Sequence, residues 1–254
     1  MDVHWLEQTE GDVPAGNDWL SASEALRQSE MRFAKRLTDW RLGRWTAKRA
    51  VAVYLNLPAL LRALADIEIR PAMSGAPEIF LVGKLAPVTI SLSHRAGRAA
   101  CAVAPLGSAL GCDLEMIEPR SDTFVADYFT AEEQALVAQA RIEDRPRLVA
   151  LVWSGKESVL KALRAGLRLD TRSVMLDPVD GLLSCGEDYD LHAEDPGDPT
   201  VAARLSCDSN NWLPLRVRYT RDQTFHGWWQ QSANLLRSMV AVPPPMPPIL
   251  LRAC

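Results

Sequence analysis

The sequence predicts an α+β protein, and three observations carry that prediction. A helical pattern rich in cations fills residues 21–57. Short β-branched runs follow it up to residue 105. After a break at Pro105-Leu106-Gly107, helical patterns again give way to strand patterns. This order on both sides of the break admits two α+β halves, although no repeat is readable in the sequence. We place an N-terminal half at 1–106, a C-terminal half at 107–240 and a proline-rich tail at 241–254.

Residues 1–20 read as loop and short strand. Ser21 or Ser23 is placed to cap a first helix ending near Arg36. A second helix carries Leu37, Trp40, Ala47, Val51 and Tyr54 on one face until Pro58 ends it, and a short helix follows at Leu60–Asp66. Gly75, Pro77 and Pro87 break the next stretch into short strands. Val88–Ser93 is a strand, RAACAVAP its partner, and Gly97 suits the turn between them. ALGCDLEMI, Ala109–Ile117, is a further strand. Thr130-Ala-Glu-Glu133 has the form of a capping box opening a helix to Ala140. Pro146 opens another helical element, and Ser154-Gly-Lys-Glu157 is a second capping-box pattern, with a helix to Arg164. Short strands then run to Thr220, with turn signals at Val179-Asp-Gly181, Pro196-Gly197 and Ser209-Asn-Asn211. The tail VPPPMPPILLRAC reads as extended polyproline.

Composition excludes several classes. A chain of 254 residues with 48% hydrophobic content buries a sizeable core. A net charge of −4 argues against a dedicated nucleic-acid binder. The five cysteines, Cys101, Cys112, Cys185, Cys207 and Cys254, form no CxxC spacing and read as free thiols of a reducing cytoplasm. The acidic start MDVHWLEQTEGD lacks the apolar core of a signal peptide. No uncharged apolar run reaches the roughly 18 residues of a membrane span. The expectation is a cytoplasmic protein with no membrane and no nucleic-acid partner.

The chemistry-bearing residues fall into four groups. Asp113 and Glu115 sit two apart in an apolar strand, so they project from one face. Like charges there repel, and a divalent cation would relieve them; a solvated strand face would show the same alternation. Glu157 and Lys161 share a helix face four residues apart. Glu157 also reads as a cap and Lys161 as its i+4 partner. Arg32, Lys35, Arg36, Arg41, Arg44, Lys48 and Arg49 place seven cations in 18 residues against one acid, Asp39. That suits either a phosphate-binding cleft edge or an ordinary solvated face. Ser93-His94 ends a strand. Its two side chains point to opposite faces, which argues against a Ser–His catalytic pair.

Taken in order, GRWTAK, ISLSH, GCDLE and WSGKESVLKAL resemble the 4′-phosphopantetheinyl transferases of the Sfp type, over roughly residues 30–175. DYFTAEE (Asp127–Glu133) and TRSVML resemble further family segments. The resemblance implies two similar α/β halves related by a pseudo-twofold, with the active site in the cleft between them. It implies transfer of the phosphopantetheine arm of coenzyme A to a serine of an apo acyl or peptidyl carrier protein, releasing adenosine 3′,5′-bisphosphate. The pathway implied is fatty-acid or secondary-metabolite biosynthesis. Asp113, Glu115 and Glu157 would hold Mg²⁺, with Mn²⁺ as an alternative. Glu157 would act as base and Lys161 would bind phosphate. His94, Ser93, Arg44, Lys48 and Arg36 would contact coenzyme A. The carrier would dock at the 115–130 segment and the helix holding Glu157. An internal pseudo-dimer needs no second subunit, so a monomer is expected.

Two departures stand out. Many relatives carry Gly-Lys-Pro before the Ser-His strand, whereas this chain has Gly75-Ala76-Pro77. The lost cation favours either replacement by Lys84 or Arg70, or a non-catalytic scaffold that binds coenzyme A or a carrier. Cys112 stands where Ile or Val is usual, a tolerable apolar exchange. A two-metal phosphate-ester hydrolase is disfavoured, because no second metal site is apparent.

Overall fold

A computed structural model describes residues 1–58, 60–177, 211–220 and 223–252. The fold is α+β. The first half runs β1 (His4–Thr9), α1 (Ala22–Ser29), α2 (Ala34–Tyr54), α3 (Leu61–Leu64), β2 (Ile67–Pro71), β3 (Pro77–Leu81), β4 (Lys84–Leu85), β5 (Val88–Arg95) and β6 (Arg98–Pro105). The second runs β7 (Ala109–Met116), α4 (Asp122–Tyr128), α5 (Ala131–Gln139), α6 (Arg145–Ala162), β8 (Val174–Leu176), β9 (Leu213–Tyr219), β10 (Gln223–Ser232) and β11 (Leu235–Val242), followed by β12 (Ile249–Leu250).

The halves share a topology. In each, the first strand pairs antiparallel with the last, and the last with the one before it: β1-β6-β5 and β7-β11-β10. A long helix covers each sheet, α2 over β1, β5 and β6, and α6 over β7 and β11. The opposite sheet faces close on one another through small side chains. Ala100, Ala102 and Ala104 of β6 pack with Leu110, Cys112 and Leu114 of β7 and with Met239 and Ala241 of β11. Where β5 lies beside β7, serine hydroxyls bridge the strands. Ser91 Oγ accepts from the Cys112 N–H at 2.9 Å and Ser93 Oγ from the Leu114 N–H at 3.1 Å.

The structure exposes a repeat that sequence reading missed. Trp45-Thr-Ala-Lys-Arg-Ala-Val51 on α2 corresponds to Trp153-Ser-Gly-Lys-Glu-Ser-Val159 on α6. Each lysine is fully buried against the glutamate of a capping box. Lys48 Nζ lies 2.5 Å from Glu24, which boxes with Ser21, and Lys156 Nζ lies 2.7 Å from Glu133, which boxes with Thr130. The other carboxylate oxygen of each glutamate accepts a strand N–H, from Ile69 and from Leu176.

Several boundaries differ from expectation. The first helix ends at Ser29, and α2 already begins at Ala34 after an extended Phe33. The Ser154-Gly-Lys-Glu157 pattern caps nothing. It lies inside α6, where the Ser154 and Ser158 hydroxyls bond Ser238 on β11 at 2.7 and 2.8 Å. The helix α4 and the strands β10 and β11 were not anticipated. The tail is no free polyproline segment: β12 pairs parallel with β1, and the Met246 N–H donates to the Met1 carbonyl at 2.9 Å. The turn signals at 179–181 and 196–197, and all but Asn211 of 209–211, lie outside the described residues. Among the described residues, no helix is long and apolar enough to cross a membrane.

Candidate active site

The site is built where α6 lies directly on β7. Gly111 makes that approach feasible: a Cβ there would sit 1.7 Å from the Ser158 carbonyl oxygen on α6. Alternation then turns Asp113, two residues along β7, toward the same helix. Lys161 Nζ reaches back to the Cys112 carbonyl at 2.9 Å and to Asp113 Oδ1 at 2.7 Å. Lys161 is therefore partnered with Asp113, in place of the expected i+4 pair with Glu157.

Asp113 is only 4% exposed, which removes the solvated-face reading of its strand. Its Oδ1 also accepts the Ser93 hydroxyl at 2.9 Å. Its Oδ2 is buried with no hydrogen-bond partner, an expensive arrangement for a carboxylate. Glu115 faces Arg120 at 3.2 Å and Arg95 at 3.6 Å. Burial first, and then the Asp113 charge, push the Glu115 and Glu157 carboxyls above the ordinary value. Burial works against the charge on Lys161, but Asp113 and the other groups around it outweigh burial and raise its pKa. Asp113, Glu115 and Glu157 thus feel one another's charge, with Lys161 on Asp113 and two arginines on Glu115, and one Asp113 oxygen is left without a partner.

Two clefts flank this point. One, of about 500 Å³, is lined by Lys35, Arg36, Arg44, Ser93 and His94, with Phe33 and Trp40 on its apolar side. It gathers four of the five residues expected to contact coenzyme A. Ser93 lines it while its hydroxyl is engaged with β7. The fifth, Lys48, is a correction. It is completely buried, ion-paired to Glu24, and donates to the Trp19 and Leu64 carbonyls at 2.9 and 3.1 Å, so it is not available to a ligand. The other cleft, of about 380 Å³, runs from Lys161 past Arg44, Arg70, Arg164 and Ser91 to Ser74, Gly75 and Ala76. Arg44 borders both clefts. Lys84 borders neither.

Sequence reading missed Arg95 and Arg120, which hold Glu115, and Arg164, which lines the second cleft. Arg164 follows the Leu163 cap of α6 with a left-handed φ of 54°, a conformation unusual for a residue with a side chain. The Arg120 signal was available, since a cation five residues past Glu115 lies within reach of it.

The family model for the 4′-phosphopantetheinyl transferase superfamily matches residues 109–194. Over that span, about a third of the chain, the sequence is similar to this superfamily. The matched residues include Asp113, Glu115, Glu157 and Lys161. No curated protein matches the chain. Among solved structures, the chain is similar to the Helicobacter pylori holo-[acyl-carrier-protein] synthase in complex with coenzyme A, at 18% identity, covering 41% of this chain and 98% of that one, with a TM-score of 0.32. A likeness at that score carries no argument. The likeness lies in the C-terminal half, and the first cleft is lined by residues outside the matched span.

A divalent cation fits the donor set in chemistry. Hard cations of the Mg²⁺ type take carboxylate oxygens together with phosphate oxygens and water. The open Asp113 Oδ2 and the raised Glu115 and Glu157 carboxyls supply acids that gain from a cation nearby. Among the described residues, no three His, Cys, Asp or Glu side chains already stand in a metal-holding group. Glu115 is meanwhile satisfied by Arg95 and Arg120.

Proposed function

We propose that the protein transfers the 4′-phosphopantetheine arm of coenzyme A to a serine hydroxyl of an acyl or peptidyl carrier protein, as an Sfp-type enzyme acting as a monomer. The observation that carries this reading is the buried, partnerless Asp113 Oδ2, whose other oxygen is held by Ser93 and Lys161, each lining one of two cation-lined clefts. The likeness of residues 109–194 to the superfamily supports this reaction class.

In this reading Asp113, Glu115 and Glu157 hold Mg²⁺, or Mn²⁺ in its place. The ion, when bound, neutralises diphosphate charge. Lys161 binds a phosphate oxygen beside Asp113. His94, Arg36 and Arg44 hold the phosphates of coenzyme A along the first cleft. Glu157 accepts the proton of the carrier serine. The serine oxygen then bonds to the phosphorus carrying the pantetheine arm. The bond from that phosphorus to the oxygen bridging the diphosphate breaks, and adenosine 3′,5′-bisphosphate leaves.

The scaffold reading rests on Ala76. That residue lines a cleft holding Arg44, Arg70, Lys161 and Arg164, so cations remain near the lost lysine. Of the two replacements named from sequence, Arg70 fits and Lys84 does not. The test is intact-protein mass spectrometry of apo carrier proteins incubated with this protein, coenzyme A and Mg²⁺, with and without chelator. A chelator-sensitive gain of one phosphopantetheine arm supports the enzyme, and Glu157→Gln should abolish it. Retained coenzyme A binding with no gain on any carrier supports the scaffold.

A further inference from the structure

We infer that Lys156 is a positioning residue for the transfer: its buried clamp on Glu133 sets the rotation of α6, and so the aim of Glu157 and Lys161. The kinetic arm of this inference rests on the reaction proposed above.

Lys156 makes three contacts from inside the helix. Its ammonium pairs with Glu133 at 2.7 Å, donates to the Thr171 carbonyl at 3.0 Å, and donates also to the Val174 carbonyl. These tie α6 to the start of α5 and to the chain entering β8. Glu133 is fixed in turn by its capping box with Thr130 and by the Leu176 N–H at 2.9 Å. Three directional bonds from one helix residue specify rotation, which an apolar contact does not. Replacing a buried ion pair by apolar groups is often neutral or stabilising, so stability alone is a poor reason for one. The next residue is Glu157. A carboxylate about 6 Å from the helix axis moves about 1 Å for each 10° of rotation. A misplacement of about 1 Å can cost about 100-fold in rate.

The first half supplies an internal control. Lys48 makes the same clamp on Glu24, within the matching segment of α2. There the following residue is Arg49, whose guanidinium lies 5.6 Å from the Trp45 ring centre. The two clamps are alike in burial and in the bonds of their lysines, and only one adjoins the acids; Glu24 also lies 3.7 Å from Arg44, so a lesion there is expected to act on KM for coenzyme A and not on kcat. A purely structural role predicts like effects from like lesions.

The experiment compares the double variants K156M/E133Q and K48M/E24Q. Gln keeps an acceptor for the Leu176 and Ile69 N–H groups, and Met fills the lysine volume. K156M/E133Q should lower kcat by about 100-fold with KM for coenzyme A within about 3-fold. K48M/E24Q should leave kcat within about 3-fold at a comparable change in melting temperature. Equal kcat losses, or wild-type kcat in K156M/E133Q, would overturn the inference. Amide hydrogen exchange over residues 157–164 reads the same point without turnover. It should quicken at least about 10-fold in K156M/E133Q, and an unchanged rate there counts against the inference. Should the wild type modify no carrier, the reaction proposed above fails, while the exchange comparison still decides the role of the clamp.

Discussion

Replacing Gly111 by alanine tests how closely α6 must lie on β7. The added Cβ would stand 1.7 Å from the Ser158 carbonyl oxygen, 2.7 Å from its carbon and 2.8 Å from the Ala162 nitrogen. All three are backbone atoms, so no side chain can swing aside. Ordinary contact lies near 3.5 Å, so helix and strand must part by roughly 1.5–2 Å. The same separation draws Lys161 away from Asp113, now 2.7 Å apart, and carries Glu157 with it. Overpacking of this kind costs about 1–3 kcal/mol. The loss of alignment should cost at least about 100-fold in kcat. The assay is carrier phosphopantetheinylation followed by mass spectrometry, with a thermal melt of the same sample. Wild-type kcat and melting temperature in Gly111→Ala would refute the argument that this close approach builds the site. Gly155→Ala is the control, because its Cβ would meet only side chains, the nearest at 3.4 Å.

Other expectations follow from the same geometry. His94→Ala and Arg36→Ala should each raise KM for coenzyme A about 10-fold with little change in kcat, because they remove binding common to ground and transition states; steady-state kinetics checks this. Glu115 and Glu157 are raised above their ordinary value near 4.5, so the metal-free fold holds protons that the unfolded chain releases. Their contribution to stability is full below that value and is lost as pH rises through the folded values. The melting increment from Mg²⁺ should therefore grow with pH, and Glu157→Gln should flatten both trends in a pH series of melts. Gly43 lies in α2 with open space at its Cβ position, so Gly43→Ala should add about 1 kcal/mol, or about 2–4 °C, in a thermal melt. Removing residues 243–254 strips the pairing on β1 and should lower the melting temperature.

What was legible in the sequence was local. The alternation through Asp113 and Glu115, the boxes at Ser21 and Thr130, and the hairpin around Gly97 all rest on neighbours a few residues apart. What failed was non-local. Lys48 looked like a cation at a cleft edge because its partner, Glu24, lies a whole helix away in the chain. Ser154-Gly-Lys-Glu157 imitates a helix start, but the apolar run from Leu148 to Val152 carries α6 straight through it. The duplicated segment escaped notice because few of its residues are identical; the matching burial and bonding of its two lysines reveal it. Asp113 stands out in the sequence, but its burial and partnerless oxygen depend on α6 and β5 closing over it.

The tail has a consequence for how the chain could be rewired. The amino group of Met1 donates to the Pro244 carbonyl at 2.8 Å, and the Leu251 N–H to the Trp5 carbonyl at 2.8 Å. The first and last described stretches thus lie side by side, and a short flexible linker would join them into a ring. Cutting that ring at the exposed Leu106-Gly107 turn would yield a circular permutant with its halves in reverse order. Such a chain would begin with the strand bearing Asp113 and Glu115 and end with β6. Each half would keep its own helix and sheet, and only the order of synthesis would change.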